Sequence, residues 1–195
     1  MTAKAADLAR AADVPKTKLL YVNFRPETNP QVRGPLWEAF SSKAWGESVT
    51  REARSPSIEA YARNLAGHRF VLCPRGSGVE THRMWESLYV GSIPVVEDNV
   101  VFDSFRDLPI LFVKDLRSLE RGFLEKAFEE IRGRAWNVEK LFLPYWKNAF
   151  EEACRSIGPR LGWGEFAKLR ARALLAAVGL AAPLIPPQKS SQERK

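Results

Sequence analysis

The sequence has 195 residues, of which 45% are hydrophobic and 27% are charged. These values are typical of a globular protein and exclude an intrinsically disordered chain, and the length is too short for two large domains. No run of about 18 apolar residues is present, so no transmembrane helix is predicted.

The net charge is +7 and the pI is near 9.6. Such a charge favours an anionic partner, namely a nucleotide, a nucleic acid or an acidic surface. The basic residues are spread along the chain among 23 acidic ones. A solvated basic surface without a specific partner is therefore an equal alternative.

The predicted elements alternate between strands and helices. Residues 1–16 are rich in alanine and predict a frayed helix or a tail. Apolar runs with strand-forming residues predict strands at 18–24, 45–50, 69–73, 93–96 and 109–113. Apolar residues at helical spacing predict helices at 31–42, 58–67, 80–90, 117–132, 136–157 and 165–178.

The composition sets the predicted domain boundaries. Residues 1–17 are interpreted as an N-terminal tail and residues 18–158 as one domain. Residues 159–180 follow as a C-terminal helix, and residues 181–195 are rich in proline, serine and charge, which predicts a disordered tail.

Strands that alternate with helices at this spacing predict an α/β fold, a Rossmann-like, mostly parallel sheet with helices on both faces. In such sheets the ligand binds at the carboxyl ends of the strands. The loops expected around one crevice are residues 23–33, 50–54, 75–83 and 97–98.

A glycine-containing loop, Arg75-Gly76-Ser77-Gly78, joins a predicted strand to the helix that follows it. Glycine lets the backbone approach a ligand closely, and a helix N-terminus presents N–H groups to an anion. Thr81 can add a hydroxyl, and the Arg83 guanidinium can grip a diphosphate with two hydrogen bonds. Because a cation is disfavoured at a helix N-terminus, Arg83 favours a bound anion nearby.

Glu86 lies one turn after Arg83 on the same helix face. A carboxylate behind a phosphate site can accept hydrogen bonds from both ribose hydroxyls. His82 can donate to a phosphate or a sugar hydroxyl, or can simply lie on the loop. The structural alternative is that Arg75 and Arg83 form surface ion pairs with Glu80 and Glu86.

Other catalytic signatures are absent from the sequence. The loop matches neither the Walker A sequence nor the triple glycine of dinucleotide-binding folds, and a nucleophile elbow is missing. Glu97 and Asp98 alone offer too few ligands for a metal, so neither a metal site nor a prosthetic group is predicted. Cys73 and Cys154 lie far apart without metal spacing and are predicted to be buried free thiols, with a disulfide between them as the alternative.

Taken whole, FVLCPRGSGVETHRMWESLYVGSIPVV from Phe70 to Val96 is more specific than its parts. It resembles the C-terminal signature of the exostosin-like glycosyltransferases, in which Pro-X-Gly-X-Gly, Thr-X-Arg, Glu and Gly-X-Ile-Pro-Val-Val recur in this order. YVNFRPETNPQVR upstream resembles the first strand and loop of the same domain. The resemblance covers residues 18–150.

The resemblance implies a GT-B fold whose C-terminal Rossmann-like half binds the nucleotide-sugar donor. Glycines 76 and 78 with Thr81 and Arg83 would surround the diphosphate, Glu86 would hold the ribose, and the base would lie near residues 49–54. No catalytic base is assigned. The residues expected to bind the donor are Arg25, Arg33, Arg75, Gly76, Gly78, Thr81, His82, Arg83 and Glu86.

The leading hypothesis is an exostosin-like glycosyltransferase that transfers the sugar of a nucleoside-diphosphate sugar to a hydroxyl of a glycan, protein or small molecule, as in protein glycosylation. The first predicted strand begins at residue 18, whereas a GT-B enzyme places its acceptor site in a large N-terminal half. A nucleotide-sugar-binding domain without that half is therefore the alternative.

A basic nucleic-acid-binding module is a second alternative. The sequence lacks the signature of an RNA-binding sheet with exposed aromatic residues, so no nucleic-acid partner is expected. The chain as given is expected in the cytoplasm because it lacks a secretory signal, and in the Golgi or secretory lumen if it belongs to a longer protein.

Overall fold

The structure is a computed structural model, and it describes residues 3–43, 45–52, 56–156 and 168. The chain divides into two compact units, Met1–Tyr145 and Trp146–Lys195. Apart from Lys168, the predicted helix at 159–180 and tail at 181–195 lie outside the described residues. The domain boundaries stay predictions.

The first unit contains a five-stranded sheet in which every pair of neighbours is parallel. The strand order is β2-β1-β3-β4-β5. The strands are β1 Lys18–Asn23, β2 Val49–Glu52, β3 His68–Leu72, β4 Ile93–Glu97 and β5 Leu111–Val113. The predicted α/β, Rossmann-like fold is confirmed.

The helices are α1 Ala3–Ala11, α2 Pro30–Ser42, α3 Ile58–Gly67, α4 His82–Tyr89, α5 Arg121–Arg132 and α6 Leu143–Ser156. Buried residues of α1, α3 and α4 belong to one apolar core, and those of α2 and α5 belong to another. Both cores share the central strands, whose apolar side chains point alternately to the two faces. The sheet is therefore covered on both sides, as predicted.

The direction of winding reverses in the middle of the sheet. The helix α2 connects β1 to β2 on one face, whereas α3 and α4 connect β2 to β3 and β3 to β4 on the other. The chain thus winds in opposite directions from β1 and from β3. In open α/β sheets, the crevice at the carboxyl ends of two such strands is the usual ligand site.

Three predicted boundaries are wrong for local reasons. The strand predicted at 45–50 begins at Val49, because Gly46 has a φ of +62° and starts a 3₁₀ turn. The helix predicted at 117–132 begins at Arg121, after another 3₁₀ turn. The helix predicted at 136–157 begins at Leu143, since Pro144 is tolerated only in the first turn.

The predicted N-terminal tail contains α1, which packs against α3 and α4 through Leu8 and Ala11. Cys73 is a buried free thiol as predicted, and burial raises its pKa to about 12. Cys154 is exposed, so the prediction that it is buried is wrong. Among the described residues, no helix combines the length and apolarity needed to cross a membrane.

Lys16 holds the carboxyl ends of α3 and α4 together. Its Nζ donates to the carbonyl of Ala66 at 2.9 Å, the carbonyl of Val90 at 3.0 Å and Ser92 Oγ at 3.0 Å. A cation is favourable at helix C-termini, although burial lowers the pKa of Lys16 to about 8. Gly91, with a φ of +70°, ends α4 in the left-handed region. These contacts fix the two helices whose N-termini flank the crevice.

Candidate functional site

The crevice at the carboxyl ends of β1 and β3 contains a cavity of about 480 Å³. This volume lies in the range of small-molecule sites. The lining comes from the end of β1, the start of α3 and the first turns of α4: Asn23, Pro56, Ile58, Tyr61, Thr81, His82, Arg83 and Glu86.

Arg83 has a buried donor without an acceptor. Its Nη2 donates to Oδ1 of Asn23 at 3.1 Å. Its Nε is buried, and no described residue accepts a hydrogen bond from it. A buried N–H without a partner costs about 1–3 kcal/mol. The side chain is therefore arranged for an acceptor that the described part of the chain does not supply.

Thr81 stands at the N-cap of α4 in an extended conformation, with φ −125° and ψ 146°. A threonine there normally accepts a hydrogen bond from an N–H of the first turn. Instead, its Oγ1 is buried and has no hydrogen-bond partner among the described residues. A hydroxyl and an uncapped helix N-terminus thus meet beside the Arg83 guanidinium, an arrangement suited to an anion.

The other wall of the cavity is formed by α3. Ser57 caps this helix, because its Oγ accepts from the N–H of Ala60 at 3.2 Å. The hydroxyl of Tyr61, one turn later, donates to Oε2 of Glu86 at 2.6 Å. Burial, together with the bond to Glu86, raises the pKa of Tyr61 far above its usual value. The phenol therefore stays a donor and holds the Glu86 carboxylate at the cavity.

Arg33 joins the loop after β1 to the loop after β3. Only 6% of this residue is exposed, and its guanidinium donates to the carbonyls of Arg75 at 2.9 Å, Pro74 at 3.0 Å and Arg25 at 3.3 Å. Burial lowers the pKa of Arg33, and the positive charge of Arg83 adds to this effect. Three of the five N–H donors of Arg33 are thus bound to carbonyls of the protein, and its predicted contact with phosphate stays a prediction.

Gly76 packs against the Arg33 guanidinium. A Cβ added at Gly76 would lie 2.9 Å from Nη2 of Arg33 and 3.4 Å from Cγ2 of Thr28. The Gly76 carbonyl also accepts from Nδ2 of Asn29 at 2.9 Å. The close approach that requires glycine here is therefore with the protein's own arginine.

Substitution of Gly76 by alanine is expected to lower the free energy of unfolding by about 1–3 kcal/mol. The reason is that three carbonyls hold Arg33 and prevent it from moving away from a new Cβ. Gly122→Ala in α5 is the matched control, because a Cβ there meets nothing within 4 Å and the next residue is not a proline. It is expected to stabilise by about 0.5–1 kcal/mol through helix propensity. Urea denaturation compares the two, and equal destabilisation would contradict the packing argument.

A comparison with protein-family models finds a match to the RXYLT1 C-terminal domain over residues 38–156, more than half of the chain. The chain belongs to the RXYLT1 C-terminal domain family. This is an exostosin-like glycosyltransferase family, so the resemblance seen in the sequence is confirmed.

The part matched by the RXYLT1 C-terminal domain family includes the residues of α4 at the cavity, whereas β1 precedes it. The fold brings four of the predicted donor-binding residues together around the cavity: Thr81, His82, Arg83 and Glu86. Arg75 is exposed and lines a separate cavity of about 40 Å³ beside Glu97 and Asp98. The others lie outside the lining, in the loops after β1 and β3 and in the first turn of α2: Arg25, Gly76, Gly78 and Arg33.

Two residues at the cavity were not singled out from the sequence of this RXYLT1-family chain. Asn23 is a polar residue that ends an otherwise apolar strand, a signal that could have identified it. Tyr61 was assigned only to the apolar face of α3. Its hydroxyl, one turn after a capping serine, was the overlooked signal.

His68, the first residue of β3, lies in a buried hydrogen-bonded chain. Its Nδ1 contacts the carbonyl of Asn64, which can only accept, so Nδ1 carries the proton. Nε2 therefore accepts from Oγ1 of Thr50 at 2.8 Å, and that oxygen accepts from Nζ of Lys18 at 3.0 Å. Burial lowers the pKa of His68 to about 4. The folded protein thus keeps this imidazole neutral.

This arrangement predicts a loss of stability in mild acid. In the unfolded chain His68 titrates near its ordinary pKa of about 6.5, so between pH 6.5 and 4 the unfolded state binds a proton that the folded state excludes. Stability present above pH 6.5 is lost as the pH falls, by at most about 1.4 kcal/mol per pH unit.

The measurement is the free energy of unfolding against pH for the wild type, His68→Gln and His82→Gln. The carboxylates are common to all three proteins. The difference in the pH dependence of the free energy of unfolding between the wild type and His68→Gln therefore gives the contribution of His68. His82 is exposed and is the matched control, since the chain has two histidines. An unchanged slope in His68→Gln would show that His68 titrates alike in both states.

Proposed function

We propose that the cavity binds a nucleoside-diphosphate sugar and that the protein transfers the sugar to a hydroxyl acceptor. The observation that carries this proposal is the pair of buried polar atoms at the N-terminus of α4, Nε of Arg83 and Oγ1 of Thr81. Neither atom has a hydrogen-bond partner among the described residues, and the two residues that carry them line the cavity. Phosphoryl oxygens are acceptors that suit both groups.

The charge of the region supports an anion with more than one negative charge. The guanidinium groups of Arg33 and Arg83 are close enough for the charge of Arg83 to lower the pKa of Arg33. The N-terminus of α4 adds a partial positive charge at the same place. A diphosphate would compensate this concentration of positive charge.

The remaining lining suits the other parts of such a donor. The Glu86 carboxylate, held by the Tyr61 hydroxyl, would accept hydrogen bonds from the ribose. Pro56 and Ile58 give the cavity an apolar wall against which a nucleobase would pack. The cavity volume of about 480 Å³ is suitable for a ligand of this class.

In the transfer, the bond between the anomeric carbon and the diphosphate oxygen breaks, and the acceptor oxygen forms a new bond to that carbon. The acceptor proton passes to a base that we do not assign. Negative charge grows on the leaving diphosphate, and Arg83 with the first-turn N–H groups of α4 would stabilise it.

A donor-binding domain without its own acceptor site is the second candidate. The matching family model is that of a C-terminal domain, which favours an acceptor site elsewhere in a longer protein. Transfer and hydrolysis assays on protein that binds the donor separate the two candidates. Hydrolysis or transfer by this chain alone would favour the complete enzyme.

Isothermal titration calorimetry with uridine, guanosine and cytidine diphosphate sugars tests the proposal. The nucleoside diphosphate and the nucleoside monophosphate with the same base are titrated as well. At least one diphosphate sugar is expected to bind, and its nucleoside diphosphate is expected to bind more tightly than the monophosphate. If folded protein binds none of them, the proposed function is wrong.

A further inference from the structure

Asn23 links the Arg83 guanidinium to a carboxylate behind the cavity. Its Nδ2 donates to Oε2 of Glu52 at 3.1 Å, and its Oδ1 accepts from Nη2 of Arg83 at 3.1 Å. Asn23 is 6% exposed and is the register partner of Glu52 where β1 and β2 end. An amide nitrogen donates and an amide oxygen accepts, so the two ends are not interchangeable. The carboxylate of Glu52 therefore dictates that the amide oxygen faces Arg83.

Glu52 is itself held in place by further neutral donors. The Tyr21 hydroxyl donates to the same Oε2, and Nδ2 of Asn64 donates to Oε1 at 2.8 Å. Burial, followed by the hydrogen bond to Glu52, raises the pKa of Tyr21 far above its usual value. The phenol thus remains a donor. The carboxylate has fixed neighbours from β1 and α3 and cannot turn away from Asn23 without breaking these bonds.

We propose that Glu52, acting through Asn23, is a positioning residue for Arg83. It selects the guanidinium orientation in which Nη2 is bound to the protein and Nε is left for a phosphoryl oxygen of the donor. This inference rests on the proposed function, because the orientation matters only if Arg83 binds phosphate.

Glutamine at position 52 would disrupt this selection. Its amide nitrogen would face Nδ2 of Asn64 in one orientation, and Nδ2 of Asn23 with the Tyr21 hydroxyl in the other. If Asn23 turned over to relieve that clash, its Nδ2 would face Nη2 of Arg83, donor against donor. Arg83 would then leave the orientation in which Nη2 is bound to Asn23 and Nε has no partner among the described residues.

The test measures affinity for uridine and guanosine diphosphate in Glu52→Gln and in Asn23→Leu. Each variant is expected to bind about tenfold more weakly than the wild type, equivalent to about 1.4 kcal/mol. Two variants are used so that one remains if the other fails to fold, which circular dichroism checks. Thr50→Val is the matched control. It removes hydrogen bonds of the same strand without touching Arg83, and its affinity should match that of the wild type.

A thermodynamic cycle separates positioning from a structural role. In an Arg83→Ala background, Glu52→Gln is expected to cause no further loss of affinity. In ligand-free protein, the Arg83 Nε–H resonance should shift in Glu52→Gln and stay in place in Thr50→Val. An equal loss of affinity in both backgrounds, or an unchanged Nε–H resonance, would overturn the positioning role.

The outcomes also distinguish the two proposals. If wild-type protein binds no nucleoside diphosphate, both the proposed function and the positioning role of Glu52 are wrong. If Arg83→Ala weakens binding while Glu52→Gln and Asn23→Leu bind as the wild type does, only the positioning role is wrong.

Discussion

Arg83→Ala is expected to weaken the binding of a nucleoside diphosphate by about 10- to 150-fold. A hydrogen bond to a charged group contributes about 1.5–3 kcal/mol, and Arg83 offers a buried Nε for it. The fold should survive, because the one hydrogen bond shown for this side chain among the described residues is that to Asn23. Calorimetric titration gives the affinity, and thermal denaturation confirms that the variant is folded.

Arg75→Ala is the matched control for this prediction. It removes the same charge from a residue that is exposed and lines the separate cavity beside Glu97 and Asp98. Its affinity is expected to stay close to that of the wild type. Equal losses in Arg75→Ala and Arg83→Ala, with a steep dependence on salt, would instead indicate attraction to a diffuse basic surface, as in a nucleic-acid-binding module.

Arg33→Ala is expected to lower the free energy of unfolding by about 3–5 kcal/mol. The substitution leaves the carbonyls of Pro74 and Arg75 without their donor inside the protein, at about 1–3 kcal/mol each. It also removes the contact of the guanidinium with the Phe24 ring, whose centroid lies 5.7 Å away. Denaturation by guanidinium chloride measures the loss in the free energy of unfolding.

Two further variants control the Arg33 experiment. Arg33→Lys should recover little stability, because a single ammonium cannot reproduce the fork that reaches three carbonyls. Arg117→Ala removes an exposed arginine paired with Asp115 and should change stability by less than about 1 kcal/mol. If Arg33→Ala costs no more than Arg117→Ala, Arg33 does not hold the two loops together.

The sequence predicts the part of the site that is local in the chain. Thr81, Arg83 and Glu86 lie within six residues of one another, so the start of one helix is enough to bring them together. The central strands were also predictable, because a strand buried on both faces is a continuous apolar run. Site residues that are close in the chain, and strands that are buried on both faces, can therefore be predicted from a single sequence.

The contacts between loops were not predictable in the same way. Arg33, in the first turn of α2, is buried, whereas Arg75, in the loop after β3, is exposed. The difference arises from hydrogen bonds between residues 41 and 42 positions apart. The packing of Gly76 against Arg33 was unpredictable for the same reason, since nothing in the sequence shows that the two residues are in contact.

The link between Asn23 and Glu52 depends on strand register. The two residues are partners in the parallel pairing of β1 with β2. The sequence predicts β2 at 45–50, which leaves Glu52 in the following loop. The positive φ of Gly46 delays the strand to Val49 and brings Glu52 to its last position. Because the conformation of Gly46 could not be predicted, Glu52 was not recognised as the residue that orients the Asn23 amide.

The diphosphate of the donor is proposed to bind in the crevice at the carboxyl ends of β1 and β3. Titration of ¹⁵N-labelled wild-type protein with a nucleoside diphosphate locates the site by amide chemical-shift changes. The largest changes are expected at Asn23, Tyr61 and the first turn of α4 from Thr81 to Arg83. In Arg83→Ala they should require about 10- to 150-fold more nucleotide. Changes confined to the cavity that Gln31 and Arg117 line, with none in the first turn of α4, would contradict the account.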